Sequence, residues 1–305
     1  MRSDWELPEE FFRGASIRPL GSAAAPVEID GYRAAHQSRE MARRHAFSWS
    51  PGRAFEIHSG VEAPELAAHG VPGTALEATL PPIAMRLATT RGTNALLERA
   101  GAATALFITR GFADLLEIGT QQRPDLFALA ADKRRPLYEA VVEVEERVGS
   151  QGEILETLNL ESVRREAADL LGEGIEVAAV ALLNSYRNPD HERILARELA
   201  AMGFDHVSSS AELAPLIKIL PRAETAVVNA YLSQVFGEYL SAVRRSAKSG
   251  PLHVLTSTGS LVRSSTYLPK DSLLSGPAGG VVGAASIARE SGFQRSLAFD
   301  MGGTS

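Results

Sequence analysis

The sequence predicts an α/β fold, a sheet with helices on its faces. Three observations carry this. Strand-like and helix-like segments alternate from about residue 83 onward. Hydrophobic residues are 45% and charged residues 22% of the 305, a balance that supports a packed core. The most apolar run, Val177 to Leu183, is strand-sized and falls well short of the ~18 continuous apolar residues that a membrane-spanning helix needs.

Residues 1–82 are rich in proline and compositionally mixed, and read as an irregular N-terminal region. Within them Tyr32 to His45 reads as a polar helix and Phe55 to His58 as a short strand. A first α/β domain is expected over 83–210. Ile83 to Ala88 is a strand. Thr93 and Asn94 are candidate caps of a helix running to Ala100 and stopped by Gly101. Thr104 to Thr109 is a buried strand and Gly111 to Ile118 a short helix. Val141 to Val148 alternates valine with charged residues, as a half-exposed strand does. Leu160 to Leu171 is an amphipathic helix ended by Gly172 and Gly174. Val177 to Asn184 is a strand, and Asn188-Pro189-Asp190 opens a helix that runs to Met202 and stops at Gly203. His206 to Ser209 is a strand. The start of a second α/β domain occupies 211–305. It holds a long helix from Arg222 to Lys248, a strand Leu252 to Ser257, a helix Pro277 to Arg289 and a strand Ser296 to Met301. No internal repeat of fixed period is present.

Composition excludes several functions. With no cysteine, the chain has no disulfide, thiolate zinc site or cysteine nucleophile. A net charge of −6 argues against a nucleic-acid partner. The N-terminus lacks the apolar segment of a secretory signal, so a soluble, cytoplasmic protein with no membrane partner is expected. Walker-type GxxxxGK[ST], GxGxxG, HExxH and GxSxG motifs are absent. His36, His45, His58, His69, His191, His206 and His253 show no metal-ligand spacing and read as surface or packing residues.

The C-terminal residues carry the most chemistry. An apolar strand delivers Asp300, then Gly302, Gly303, Thr304 and Ser305. Glycines let backbone N–H groups gather around phosphate oxygens, the hydroxyls add donors, and Asp300 suits Mg²⁺ directly or through water. A plain strand-to-turn connection reads equally well. Upstream, Gly276, Gly279, Gly280 and Gly283 punctuate a helix. Gly276, Gly280 and Gly283 fall on one face, which suits close packing or, at the helix start, an anion.

Ser275 to Ala285, followed by Phe299-Asp-Met-Gly-Gly-Thr-Ser305, resembles the hydantoinase A / 5-oxoprolinase family. So do Ala88-Thr-Thr-Arg-Gly-Thr-Asn-Ala-Leu-Leu-Glu-Arg99 and Thr109-Arg-Gly-Phe-Ala-Asp-Leu-Leu-Glu-Ile-Gly119 with Gln122-Arg-Pro-Asp-Leu126. Asn184-Ser-Tyr-Arg-Asn-Pro-Asp-His-Glu192 and Arg222-Ala-Glu-Thr-Ala-Val-Val-Asn-Ala-Tyr-Leu232 match as well. The five matches run in order from about residue 84 to 305.

The resemblance implies an actin-like, sugar-kinase-like (ribonuclease H-like) ATPase fold, here incomplete, with mixed sheets flanked by helices. It implies ATP and Mg²⁺ as cofactors and a small cyclic amide as substrate, opened through a phosphorylated carbonyl. Asp300, Gly302, Gly303, Thr304 and Ser305 correspond to a phosphate loop. Thr89, Thr90, Thr93 and Asn94 correspond to a polar cluster facing the cleft, or else are helix caps. Arg110, Asp114, Arg123 and Asp125 correspond to a substrate-orienting charged loop, or else a surface ion-pair cluster. Asn229 is a cleft ligand or a packed interhelix hydrogen bond.

The chain also departs from the family pattern. Residues 1–82 lack an early Asp-x-Gly-Gly-Thr-x-x-Asp loop, and Ser257-Thr-Gly-Ser260 stands where members carry Ser-Asn-Gly-Gly. The family's further ATPase half is expected outside these residues, and the expected partner is the remainder of the protein's own chain or a hydantoinase B-like subunit. On this reading the chain alone is inactive. A non-catalytic interaction module and an ATP-dependent ketone carboxylase subunit are the alternatives.

Overall fold

The computed structural model describes residues 11–13, 15–20, 23, 25–33, 38–41, 55–70, 74–76, 78–121, 127, 135–246 and 250–299. In chain order the elements begin with β1 (Ser16–Pro19), β2 (Val27–Arg33), β3 (Ser38–Met41), β4 (Phe55–His58), α1 (Ala63–Gly70) and β5 (Met85–Leu87). Next come α2 (Arg91–Leu97), β6 (Thr104–Thr109), α3 (Leu115–Ile118), β7 (Ala140–Val144), β8 (Arg147–Val148) and β9 (Ile154–Glu156). They are followed by α4 (Leu160–Gly172), β10 (Val177–Ala181), α5 (Asp190–Met202), β11 (His206–Ser209), α6 (Ser210–Leu213) and α7 (Ile219–Tyr231). The last are α8 (Ser233–Ser246), β12 (Leu252–Leu255), β13 (Leu261–Arg263), a 3-10 turn at Pro269–Ser272 and α9 (Ser275–Glu290). The chain forms two compact units, residues 1–87 with 239–254, and residues 88–238 with 255–305.

In the first unit the residues read as irregular hold an antiparallel sheet in the order β3-β2-β1-β4. Phe11, Phe12, Ala15, Ile17 and Ile29 form its buried cluster. The helix expected over Tyr32 to His45 is replaced, in its described part, by the end of β2 and by β3, which pair antiparallel with a register shift between Ile29 and Gly31. Polar residues at mixed spacing fit either period, and strand pairing decides the outcome. Here β5 also pairs in parallel with β12, Leu252 opposite Met85.

The second unit is built on a parallel sheet in the order β11-β10-β6-β7. β6 and β10 are buried along their whole length, as central strands covered on both faces must be. One face packs Phe107, Val142, Val163, Ala167, Leu195 and Leu199 together, under α4 and α5. The other packs Leu106, Ile108, Ala223, Ala226, Val227 and Ala230, under α7. α5 starts where the sequence placed it, with Asp190 N donating to Asn188 Oδ1 at 3.1 Å, and it ends at Gly203, whose φ of 114° suits glycine.

Other expected elements shorten or divide. The strand Val141 to Val148 divides into β7 and β8 around Glu145 and Glu146, because Glu146 turns into the interior. The Val177 strand ends at Ala181, and Asn184 takes a positive φ of 57°. The Gly111 to Ile118 helix keeps one turn, α3, with Gly111 at φ 92° before it. The long helix from Arg222 divides at Leu232 into α7 and α8. The strand expected from Ser296 is not formed over 296–299. No described strand offers it hydrogen-bond partners, and Leu297 and Phe299 lie exposed.

Candidate functional site

Two segments distant in sequence meet where α2 and α9 begin. α2 starts at Arg91 and α9 at Ser275. Ser275 Oγ donates to Thr89 O at 2.9 Å, and Thr93 Oγ1 donates to Leu273 O at 2.5 Å. The two helix starts are laced together by these bonds. Glycine makes the approach possible. A Cβ on Gly276 would sit 2.7 Å from Thr90 Cγ2, and one on Gly279 would sit 2.7 Å from Ala88 Cβ. The expected stripe of Gly276, Gly280 and Gly283 is therefore corrected. The packed glycines are Gly276 and Gly279, while Gly280 and Gly283 face open space.

Thr93 and Asn94 are not caps. The helix begins before them, behind Thr90, and Thr93 spends its hydroxyl on Leu273. Neither Thr90 before α2 nor Leu274 before α9 caps its helix with its own side chain, although Arg91 N donates to Thr89 Oγ1 at 3.2 Å, and neither helix has an acidic residue in its first turn. α4 is the contrast, capped by Asn159 and carrying Glu161. A helix start carries a partial positive charge from N–H groups that have no partner within the helix. Two adjacent starts without acids of their own favour an anion.

Three further groups complete the surroundings. Ser257 Oγ donates to Asp271 O at 2.7 Å and accepts from Leu274 N at 3.0 Å, which ties the 256–260 turn to the residue before α9. Tyr267 is buried near Ser275. Burial pushes its phenol up to about 12, with the Ser275 hydroxyl opposing and Asp271 adding to the rise. The Asn94 side-chain oxygen is buried and accepts no hydrogen bond from any described residue, which marks an acceptor that lacks a donor.

Of the remaining predicted site residues, those that the structure describes do not join this place. Arg110 is exposed and pairs with Glu145 at 2.8 Å and Glu156 at 3.2 Å. Asp114 is exposed at the start of α3. Asn229 is 2% exposed; its Nδ2 donates to Ser208 Oγ at 3.0 Å and its Oδ1 accepts from Lys270 N at 3.1 Å, so its amide is spent on packing. Arg123, Asp125, Asp300, Gly302, Gly303, Thr304 and Ser305 lie outside the described residues. Among the described residues no group of three or more His, Asp or Glu has metal-binding geometry.

Sequence reasoning missed a buried polar band across the carboxyl ends of the parallel strands. Glu192 accepts from Leu182 N at 2.8 Å, Ser185 Oγ at 2.7 Å, Ser209 Oγ at 2.7 Å, Ser210 Oγ at 2.6 Å and Ala211 N at 2.8 Å. Arg222 faces it and donates to Leu182 O at 2.9 Å and Leu216 O at 3.1 Å. Burial lowers the Arg222 pKa, and Glu192 opposes that. Beside them His191 Nδ1 meets Glu146 Oε2 at 2.8 Å, and Glu146 also takes the Thr109 hydroxyl.

Open α/β sheets bind ligands at their carboxyl edge, where strand order reverses. That point lies here between β6 and β10, and Leu183 N donates to Thr109 Oγ1 across it at 2.8 Å. The described residues fill this edge with their own hydrogen bonds. A usable signal was present. Glu192 lies three and seven residues before the buried Leu195 and Leu199, and Arg222 lies four and eight before the buried Ala226 and Ala230. Both charges thus sit on apolar stripes.

Comparison with known proteins agrees with these motifs. Residues 73–203 match the hydantoinase/oxoprolinase N-terminal region, and residues 222–305 match hydantoinase/oxoprolinase. A 5-oxoprolinase of Saccharomyces cerevisiae is 39% identical over 252 residues, covering 72% of this chain and 20% of that protein. 5-oxoprolinase 1 of Arabidopsis thaliana is 41% identical over 245 residues, covering 72% and 19%. The chain thus spans about a fifth of these relatives' length. The acetophenone carboxylase gamma subunit of Aromatoleum aromaticum is 29% identical over 254 residues, covering 76% and 35%. An ATP-dependent caprolactamase from Pseudomonas jessenii superposes with a TM-score of 0.58 at 26% identity, over 67% of this chain and 31% of that one. A nucleotide-free acetone carboxylase superposes with a TM-score of 0.57 at 24% identity, over 68% and 32%, a likeness of fold.

Proposed function

The chain belongs to the hydantoinase/oxoprolinase family, and on that premise we propose that it supplies part of an ATP-dependent enzyme that opens a small cyclic amide of the 5-oxoproline or hydantoin type. The observation that carries this reading is the pair of helix starts laced by Ser275 and Thr89, neither with an acidic residue in its first turn. They favour an anion such as a phosphoryl oxygen or the oxyanion of an opening amide. The wider architecture proposed is the actin-like, sugar-kinase-like ATPase fold.

ATP use is supported by the caprolactamase, which is ATP-dependent. The α2 and α9 starts fit an anionic group, while the proposed phosphate loop, Asp300 with Gly302, Gly303, Thr304 and Ser305, lies outside the described residues. The described residues offer no ligand set for Mg²⁺, so no step is assigned to a metal. ATP would supply the phosphoryl group that makes the ring carbonyl oxygen a leaving group. Thr89, Thr93 and Ser275 hold the two helix starts in register, and the Asn94 oxygen offers an acceptor to a ring N–H. The bond broken is the ring C–N bond. A first water adds to the carbonyl carbon and the nitrogen leaves as the amine; a second water then attacks the resulting acyl phosphate at carbon, so the carbonyl oxygen leaves with phosphate and both carboxylate oxygens come from water.

Substrate carrying ¹⁸O in the ring carbonyl tests this. In the assembled enzyme containing this chain, the label should appear in inorganic phosphate. Amide opening with unlabelled phosphate would refute the phosphorylated carbonyl. Similarity to the acetophenone carboxylase gamma subunit favours ketone carboxylation as a second reading. Bicarbonate- and ketone-dependent ATP cleavage, in place of cleavage dependent on 5-oxo-L-proline, would establish it.

A further inference from the structure

The Asn229 amide does more than pack, because its two ends cannot exchange places. Lys270 N only donates, so the atom that faces it at 3.1 Å is Oδ1, and Nδ2 faces Ser208 Oγ at 3.0 Å. Ser208 Oγ therefore accepts from Asn229. Its own hydrogen has one acceptor among the described residues, His206 Nε2 at 2.9 Å. Ser208 is 1% exposed, and a buried hydroxyl without an acceptor is costly. The donors thus run in one direction, from Lys270 through Asn229 and Ser208 to His206. That direction requires a neutral imidazole at His206 with its proton on Nδ1.

A second proton on His206 has to sit on Nε2, where it opposes the Ser208 hydrogen. Ser208 then accepts from both sides, and its hydrogen loses its acceptor. Burial disfavours the charged ring as well. β11 packs against β10, α5, α6 and α7, and β10 has no ionisable side chain. On α5, Glu192 is held by Ser209, Ser210 and Arg222, His191 by Glu146, Glu198 by Arg164, and Asp190 by Arg193. Neither Arg197 of α5, Glu212 of α6, Glu224 of α7 nor Asp205 beside it in the chain forms a described ion pair with His206, and burial alone shifts its proton affinity.

The other end of this chain of bonds is the 3-10 turn at Pro269–Ser272, which reaches both helix starts of the candidate site. Asp271 O takes the Ser257 hydroxyl, which in turn accepts from Leu274 N just before α9. Leu273 O takes the Thr93 hydroxyl of α2. Gly92, in the first turn of α2, lies so close to Ser272 that a Cβ there would overlap its hydroxyl. We propose that Asn229 is a positioning residue: with Ser208 and His206 it holds this turn, and thereby the starts of α2 and α9, in the register that receives the anion, and a proton on His206 loosens that hold. The positioning role rests on the anion reading of the site given above.

The test combines histidine ¹⁵N NMR with amide hydrogen exchange on the 305-residue chain, without ATP or amide. At about pH 7.5 His206 should carry its proton on Nδ1 and show a bare Nε2. Between about pH 7.5 and 5.5 the protection of the Lys270 and Leu274 amides, corrected for intrinsic exchange, should fall at least ~5-fold. H206Q offers Ser208 a carbonyl acceptor that does not titrate, so it should keep the protection at both ends of the range. S208A cuts the link, so the two amides should lose their pH dependence while His206 still titrates. A proton on Nε2 at the upper pH, protection indifferent to pH in the unaltered chain, or a fall that either variant shares would each overturn the proposal. In the assembled enzyme, kcat/KM for opening 5-oxo-L-proline should fall at least ~5-fold further over this range with the unaltered chain than with H206Q. Coinciding profiles would overturn the positioning role. An intact relay in an assembly that opens no amide would refute the functional reading and leave the relay standing.

Discussion

Glu192 and Arg222, both fully buried, form an ion pair of 3.3 Å at the carboxyl edge of the parallel sheet. Their hydrogen bonds reach β10, α6 and the start of α7 as well as each other. Removing one partner leaves a buried charge uncompensated. E192Q or R222M alone should therefore cost about 3–5 kcal/mol of unfolding free energy. The double variant should cost less than the sum of the two. Urea denaturation of all four proteins measures this, and strict additivity would show that the two side chains are not coupled.

The two faces of α9 predict opposite responses to a methyl group. G283A, in open space, should stabilise the chain by about 0.5–1 kcal/mol through helix propensity. G279A drives a Cβ toward Ala88 Cβ, 2.7 Å away. Overpacking of this kind costs about 1–3 kcal/mol. Thermal melts of the two variants should shift in opposite directions.

His206 predicts a pH dependence of stability. Burial lowers its pKa below the ordinary 6.5, so the native state favours neutral imidazole. Below that ordinary value the unfolded chain binds more protons than the native one. Stability is then complete above about pH 6.5 and declines as pH falls toward the native pKa. Denaturant midpoints between pH 5 and 7.5 should show that decline, and H206Q should flatten it. An unchanged slope in the variant would assign the effect to other groups.

Asn94 separates folding from function. Its buried oxygen has no donor among the described residues, so N94L removes an acceptor without breaking a hydrogen bond made by that oxygen. The melting temperature should stay level or rise. If a ring N–H is its partner, kcat/KM of the assembled enzyme should fall about 3- to 10-fold, the worth of one neutral hydrogen bond. A melting temperature that drops in step with activity would make Asn94 structural.

The sequence made the parallel core legible because its signals were local and redundant. The largely apolar stretches of β6 and β10 and the Asn188 and Gly203 boundaries of α5 can each be read within a few residues. The lacing of Ser275 to Thr89 spans 186 residues. The motifs at both ends were visible, but no spacing rule joins them. The choice between glycine faces was likewise hidden, since helical period admits Gly276 with Gly280 as readily as Gly276 with Gly279. Glu192 and Arg222 were passed over because charged residues in helices ordinarily face water. Their positions on apolar stripes were the overlooked sign. β2 and β3 owe their state to each other, and pairing across a turn leaves little trace in a polar stretch.

The strand order β11-β10-β6-β7 also sets a timetable. β6 and β7 leave the ribosome early, and the other long edge of β6 waits for β10, roughly 70 residues later. At about 5–20 residues per second, that edge stands open for several seconds during translation. Arg222, which clasps the finished sheet, arrives later still. A nascent chain at this stage presents a bare strand with the apolar centre Ala105 to Ile108, so the interval between β6 and α7 is when ribosome-bound chaperones would have most to hold.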